Sequence, residues 1–498
     1  MIDETIDKSL NWVDDRLGTA KSGKTFLDKI FPDHWSFMLG EIALYSFVVL
    51  LATGVFLTLY YVPSSHDVIY NGSYIPLRGQ HVSEAYSSSV ALSFDVKSGL
   101  LMRQAHHWAA DIFLGAMAVH MGRIVLTGAF RKPRELNFLI GVTMLMLGIV
   151  NGFLGYSLPD DLVSGTGIRI AYSIIESVPL VGSYLAFWLF GGNFPGDGSI
   201  IPRFFIIHVL IVPLIILGLL GAHLGLLVKQ KHTQFKGPHR TEKNVVGTPM
   251  FPTFMAKTTG FLFMSTAVTF LLAGFAQINP FWQFGPYHPY QISYAVQPDW
   301  YMGWLDGALR IMPSWEWVGY GHTWPLEVFL PAVLFPGIIF NIFYAWPFLE
   351  ARITKNRDYH NLLDSPRDRP KHTGAVVAMM ALMLMVFLAS STDVLANFFN
   401  VPLQDTLWFF RFAVPIVPVI AGWLAYKICE ELRHEDGAGK RKRASVVLRT
   451  EAGEYESIPS EPRPGDDHHE LEPIEIPAFI DLVGADLATG EGVRRVLR

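Results

Sequence analysis

The chain has 498 residues, of which 51% are hydrophobic and 17% charged, with a formal net charge of −5 and a mean hydropathy of +0.30. That balance argues against a soluble globular domain and, with no basic excess, against a nucleic-acid partner. One cysteine, Cys429, excludes an intrachain disulfide, a Cys-x-x-Cys-His haem attachment and a thiolate-held iron–sulfur cluster within this chain.

A membrane-crossing helix needs about 20 predominantly apolar residues. Eight stretches meet that length: roughly 37–61, 104–127, 138–157, 204–228, 258–278, 326–347, 373–391 and 407–428. The predicted architecture is an all-α integral membrane protein. A polar arm (1–30) precedes a four-helix domain (31–240), a second four-helix domain (241–430) and a charged, Pro-rich tail (431–498) predicted to be mostly disordered. The opening MIDETIDKSLNWVDDRLG lacks an apolar core, so no cleavable signal peptide is expected. Connections 2–3 (RIVLTGAFRKPREL), 4–5 (KQKHTQFKGPHRTEK) and 6–7 (EARITKNRDYHNLLDSPRDRPKH) are basic, whereas 1–2, 3–4 and 5–6 are poor in Lys and Arg. The positive-inside rule then places both termini on the cytoplasmic side of the membrane. Spans two and four run parallel, both inward.

Of the 17 histidines, four stand within apolar spans: His106 and His120 in span two, His208 and His223 in span four. Ionisable residues at membrane depth mark functional sites. His106 and His120 are 14 residues apart, close to four helical turns and about 21 Å of rise, with the rings offset by roughly 40°. His107 misses that face by about 140°. His208 and His223 are 15 apart, with faces roughly 60° apart, and Pro213 between them can kink or unwind the helix and absorb some of the offset. In parallel spans His106 faces His208 near the outer side and His120 faces His223 near the inner side. Facing imidazoles suit an iron porphyrin with two axial nitrogens. Gly40 and Gly54 in span one, and Gly141 and Gly155 in span three, repeat the 14-residue rung and let a flat macrocycle approach the backbone. Arg103 and Arg123, three residues outside His106 and His120, are placed to pair with propionates where the span meets water. Taken singly, each of these residues also fits ordinary helix packing; taken as a set, the competing reading is a proton relay or ion pathway in a transporter.

These residues carry a resemblance. RQAHHWAADIFLGAMAVHMGR resembles the second helix of the cytochrome b subunit of respiratory cytochrome bc complexes. RKPREL with GYSLP resembles the third-helix region of the photosynthetic bf counterpart, and RFFIIHVLIVP…GAH resembles the fourth helix with the longer bf-type spacing. QPDWYMGWLDGALRIMP resembles the quinol-site motif usually written Pro-Glu-Trp-Tyr. The resemblance covers about residues 30–430, and the fused eight-helix chain, the Asp of PDWY and the tail look most like the actinobacterial menaquinol branch.

The resemblance implies two b-type haems, a low-potential outer one on His106 and His208 and a high-potential inner one on His120 and His223, packed by the four rung glycines. It implies a quinol:cytochrome c oxidoreductase that oxidises (mena)quinol at an outer site, reduces quinone at an inner site and couples this to proton translocation. At the outer site it points to Pro298, Asp299, Trp300 and Tyr301, with Asp299 in place of glutamate, Tyr301 orienting the ring or the carboxylate, Asp306 as a second candidate base and Gly167 beside the quinol. After GYSLP the family's Trp-Gly-Gln is replaced by Asp160, Asp161 and Leu162. At the inner site the family's Lys-Asp pair reads Lys257–Thr258 and its histidine position reads Val228, leaving His232, Lys229 and Lys257 as candidates. A bf-type additional covalent haem is not expected, since span one has no cysteine. Implied partners are a Rieske-type iron–sulfur subunit, a c-type haem subunit, a second copy in a homodimeric complex and the lipid bilayer; a terminal-oxidase supercomplex is compatible with the resemblance. A dihaem anchor of a dehydrogenase or hydrogenase would also use paired histidines, but leaves PDWY and the glycine ladder unexplained.

Overall fold

In the computed structural model, the described residues are 26–291, Ser293 and 297–440, with a few positions nearer the N-terminus and two strands, Ser445–Arg449 and Tyr455–Pro459. Among them, eight helices are long and apolar enough to cross a membrane: Trp35–Thr58, Gly99–Thr127, Glu135–Ser157, Ile200–Gln230, Met250–Phe275, Leu326–Thr354, Pro370–Ala389 and Leu403–His434. The chain is an all-α membrane protein. In hydrocarbon every backbone polar group must be satisfied within the protein, and helices of this length do so along their own axes.

Helix ends extend past the apolar windows where polar residues find protein partners. Span two begins at Gly99, so Arg103 and Gln104 lie inside the helix and buried. Arg103 donates to the carbonyls of Asn279 and Ile278, and the Ile278 N–H donates to the Gln104 side chain. Arg103 therefore sits deeper than the span's mouth, where the sequence reading placed it. Span six continues beyond Pro347 to Thr354 because Glu350, although buried, is held by Arg369 at the start of span seven.

Among the described residues, five shorter helices are too short to cross. They are α1 (Glu84–Phe94), α2 (Leu162–Glu176), α3 (Gly182–Phe190), α4 (Trp300–Ile311) and α5 (Thr392–Phe399). The Lys/Arg-poor connections gather on one face, termed outer below. There Ser65 donates to the Gly198 carbonyl, the Leu162 N–H to Gly285 and the Tyr287 N–H to Asp160. The basic connections gather on the other, inner face, where Gln234–Phe235 pairs in parallel with Leu362–Leu363 and Arg134 donates to the carbonyls of Gln230, Lys231 and His360.

Spans one and two pack along their lengths, spans three and four form the facing pair, and α4 lies against span seven. That last contact requires glycine. A Cβ on Gly303 would meet the Phe387 ring, and one on Gly307 would run into the Val386 carbonyl. The described residues up to Glu430 form one compact unit. Those beyond it form a second, with the two strands paired antiparallel. The sequence reading of the tail as disordered falls largely outside the described residues.

Candidate functional site

The four span histidines lie beside glycines of the neighbouring spans, His106 and His120 against span one and His208 and His223 against span three. His106 and His208 face each other with ring centroids 6.2 Å apart. Two metal–imidazole bonds of about 2 Å, plus the half-widths of two rings, give about that separation. The Nδ1 atoms are already engaged on the far sides. His208 Nδ1 lies 2.9 Å from the Asn151 carbonyl, which can only accept, so this nitrogen carries the proton and Nε2 keeps its lone pair. His106 Nδ1 is 2.9 Å from Thr53 Oγ1, whose own proton goes to the Val49 carbonyl at 2.7 Å; the hydroxyl accepts from the ring, leaving His106 Nε2 free as well. One level further in, His120 lies within electrostatic reach of His223, and its buried Nδ1 has no hydrogen-bond partner.

The 15-residue spacing of span four is resolved by a π turn at Ile207–Ile211, where the Val212 N–H bonds to the Ile207 carbonyl five residues back. A π turn takes up one extra residue, so 15 residues cover the path of 14 and both histidines return to one face. The widening lies immediately before Pro213, which lacks the N–H that would close a normal α turn.

Each rung glycine faces one histidine. A Cβ on Gly54 would lie 3.2 Å from His106 Cε1, on Gly40 3.3 Å from His120, on Gly155 2.5 Å from His208 and on Gly141 3.9 Å from His223. Arg123 is anchored by one bond to the Ser36 carbonyl at 3.5 Å and lies over the Phe37 ring, with its buried Nε and Nη1 unpartnered. Arg103 Nε is likewise buried and free. Buried guanidinium donors without acceptors are costly, and an anionic group beside each histidine level would satisfy them. Facing lone pairs at the outer level, close-approaching glycines and unpartnered guanidinium nitrogens at both levels fit a porphyrin iron with propionates.

Outward of His106 lies a second constellation. Asp299 is the N-cap residue of α4, a position where aspartate ordinarily accepts from the first-turn amides. Here its side chain makes no cap bond. Tyr301 instead donates to Asp299 Oδ2 at 2.8 Å, and His107 Nε2 lies 2.9 Å from both carboxylate oxygens. Asp111, one turn further along span two, is within 4.8 Å of this group, and its Oδ1 is buried without a partner. Tyr301 is buried in the apolar cluster that also holds Phe113, Leu114 and Val212, and Trp300 stands over Gly115, edge-on to Tyr301. Pro298 immediately precedes the cap.

Asp306 belongs to a different cluster. It pairs with Arg310 at 2.8 Å, and Arg310 also holds Asp393 at 2.9 Å. Burial raises the Asp306 carboxyl above its ordinary value and Arg310 opposes that rise. Asp161 is buried and caps α2 through the Val163 N–H at 3.0 Å; burial pushes it up to about 6. A Cβ on Gly167 would make only ordinary contacts, 3.8 Å or more, with Tyr156 and Phe153.

Sequence reasoning missed His107, Asp111 and Gly152. A Cβ on Gly152 would sit 2.6 Å from the Tyr301 hydroxyl. Gly152→Ala is therefore expected to displace Tyr301 from Asp299 and to destabilise the protein by about 1–3 kcal/mol, as overpacking of this kind does; thermal unfolding of the variant beside the unaltered protein checks this.

On the inner side, His232 stacks obliquely on Phe31, with centroids 4.5 Å apart and its Nε2 buried and unpartnered. Desolvation holds His232 down at about 4. Lys257 pairs with Asp33 at 2.7 Å in an exposed position, and Lys229 is exposed.

A protein-family model described as "Cytochrome b(N-terminal)/b6/petB" matches residues 111–286. The cytochrome bc1 complex cytochrome b subunit of Streptomyces coelicolor is 45% identical over 488 residues, covering 96% of this chain and 89% of that protein. This chain belongs to the cytochrome b subunits of bc1 complexes. The Corynebacterium diphtheriae subunit is 47% identical over 86% of this chain and 78% of its own length, and that of Mycobacterium leprae is 43% identical over 95% and 86%. Among solved structures, "Hyperthermophilic respiratory Complex III" shares the fold with a TM-score of 0.62 at 22% identity, covering 84% of this chain and 100% of that one. A cytochrome b subunit of this family implies b-type haem, partner subunits and a role in quinol–cytochrome c electron transfer.

Proposed function

We propose that this cytochrome b subunit is the dihaem core of a menaquinol:cytochrome c oxidoreductase, with His106 and His208 as axial ligands at the outer level and His120 and His223 at the inner. The observation that carries the reading is the facing of His106 and His208 at 6.2 Å, with both Nδ1 atoms engaged elsewhere. Haems bound at the two levels supply a one-electron path across the bilayer. Arg103 and Arg123 would hold the propionates through their unpartnered donors, and Gly40, Gly54, Gly141 and Gly155 would leave room for the macrocycle.

Quinol oxidation releases two protons and two electrons. Asp299 is the base that receives a quinol proton at the outer site, and Tyr301 orients its carboxylate. Asp306, committed to Arg310, holds α4 in shape. Pro298, Trp300 and Gly167 line the approach. One electron leaves to a Rieske-type iron–sulfur subunit and on to a c-type haem subunit, since this chain has neither cluster thiolates nor a c-haem motif. The other crosses to quinone at an inner site near His232 and Arg123, with Lys229 and Lys257 at its edge. Protons released outside and taken up inside make the cycle a translocase. The complex is a homodimer in the plasma membrane with cytoplasmic termini.

The purified complex, supplied with menaquinol and oxidised cytochrome c, is expected to reduce the cytochrome in a menaquinol-dependent manner. A preparation holding both haems and all subunits that shows no such reduction would contradict the proposal.

A further inference from the structure

We propose that His107 is the positioning residue of the outer quinol site, holding the Asp299 carboxylate where it can meet the substrate; the inference rests on the assignment of Asp299 as the base. A carboxylate on one methylene, at a helix N-cap, has its own helix amides as nearest partners. Asp299 forgoes them. Its carboxylate is drawn to span two by His107 Nε2, 2.9 Å from both oxygens, and steadied from its own helix by Tyr301 at 2.8 Å. The His107 contact joins residues 192 apart in sequence, so it fixes α4 against span two.

His107 is well placed to be a rigid support. Its neighbour His106 is fixed on another face of the same turn by Thr53 and the close approach of Gly54. That turn is therefore held by the haem level on one side and holds the carboxylate on the other. The arrangement also accounts for aspartate where PDWY-like motifs usually have glutamate: a ring reaching in from span two makes up for the shorter side chain. Asp111, with its free buried Oδ1 in the same cluster, shows that His107 lies between two carboxylates rather than in an apolar contact.

The test uses the purified complex with His107→Ala, His107→Gln, the double variant His107→Ala/Asp299→Glu, and Asp299→Asn as reference. His107→Ala is expected to keep both b haems and to lower kcat for quinol oxidation about tenfold or more, with a smaller change in KM, as expected when a group's orientation rather than substrate binding is lost. The infrared carboxyl band identified by its disappearance in Asp299→Asn should shift in His107→Ala. Glutamine, which keeps a donor, should restore part of the rate, and the longer glutamate in the double variant should recover activity relative to His107→Ala. An unchanged rate and an unmoved band in His107→Ala would overturn the inference, as would loss of the outer haem in both the alanine and glutamine variants, which would make His107 a scaffold residue. An unchanged rate in Asp299→Asn would instead overturn the outer-site reading beneath it.

Discussion

His120→Ala is expected to remove the inner haem and leave the outer one bound. The two levels are 14 residues apart on span two, about 21 Å along the axis, and the groups around them are separate. Gly40, His223 and Arg123 surround His120, whereas Gly54, Thr53 and His208 surround His106. On the proposed assignment His120 would supply one of two ligand nitrogens at its level and none at the other. A purified His120→Ala complex should show a halved b-haem content and keep the lower-potential component, and His106→Ala should show the converse. If both variants lost the same haem, the parallel pairing of spans two and four would be wrong.

Asp299→Asn is expected to lower quinol oxidation by about 10²–10⁴-fold, the range for removal of a positioned general base. Asparagine keeps the size and can still meet Tyr301, but it cannot take a proton. Both haems should remain, because Asp299 touches neither rung. Stopped-flow reduction of the outer haem by menaquinol, beside steady-state turnover, measures the loss. A rate near that of the unaltered complex would shift the role to Asp306, although Arg310 and Asp393 hold that carboxylate in an ion-pair cluster.

The eight spans were legible because bilayer thickness demands long apolar runs, and the histidine rung because helical pitch converts spacing into facing. Other features were hidden for physical reasons. The ends of spans two and six carry Arg103, Gln104 and Glu350, whose burial depends on partners far along the chain. The π turn of span four lies in the uniformly apolar run Ile207–Ile211; Pro213 pointed to the neighbourhood but could not specify a widened turn. Register turns His107 away from the face shared by His106 and His120, yet what it turns toward lies 192 residues away. A signal was available in Asp111, a carboxylate within a span and four residues from His107, on the same helical face. Gly152 gave no such signal, since a glycine in a span reads as ordinary packing until Tyr301 is seen against it. Short helices α2, α3 and α5 lie in stretches that read as connections, because each is too short to meet the length a membrane-crossing helix needs.

The central claim is two haems, each held by one histidine from span two and one from span four. Its most direct test is a haem count on the purified chain combined with low-temperature electron paramagnetic resonance of the oxidised form. Two b haems per chain, both low-spin with bis-imidazole signals, are predicted. A chain carrying no b haem, or a single one whose signal survives replacement of both His106 and His208 and, separately, of both His120 and His223, would contradict it.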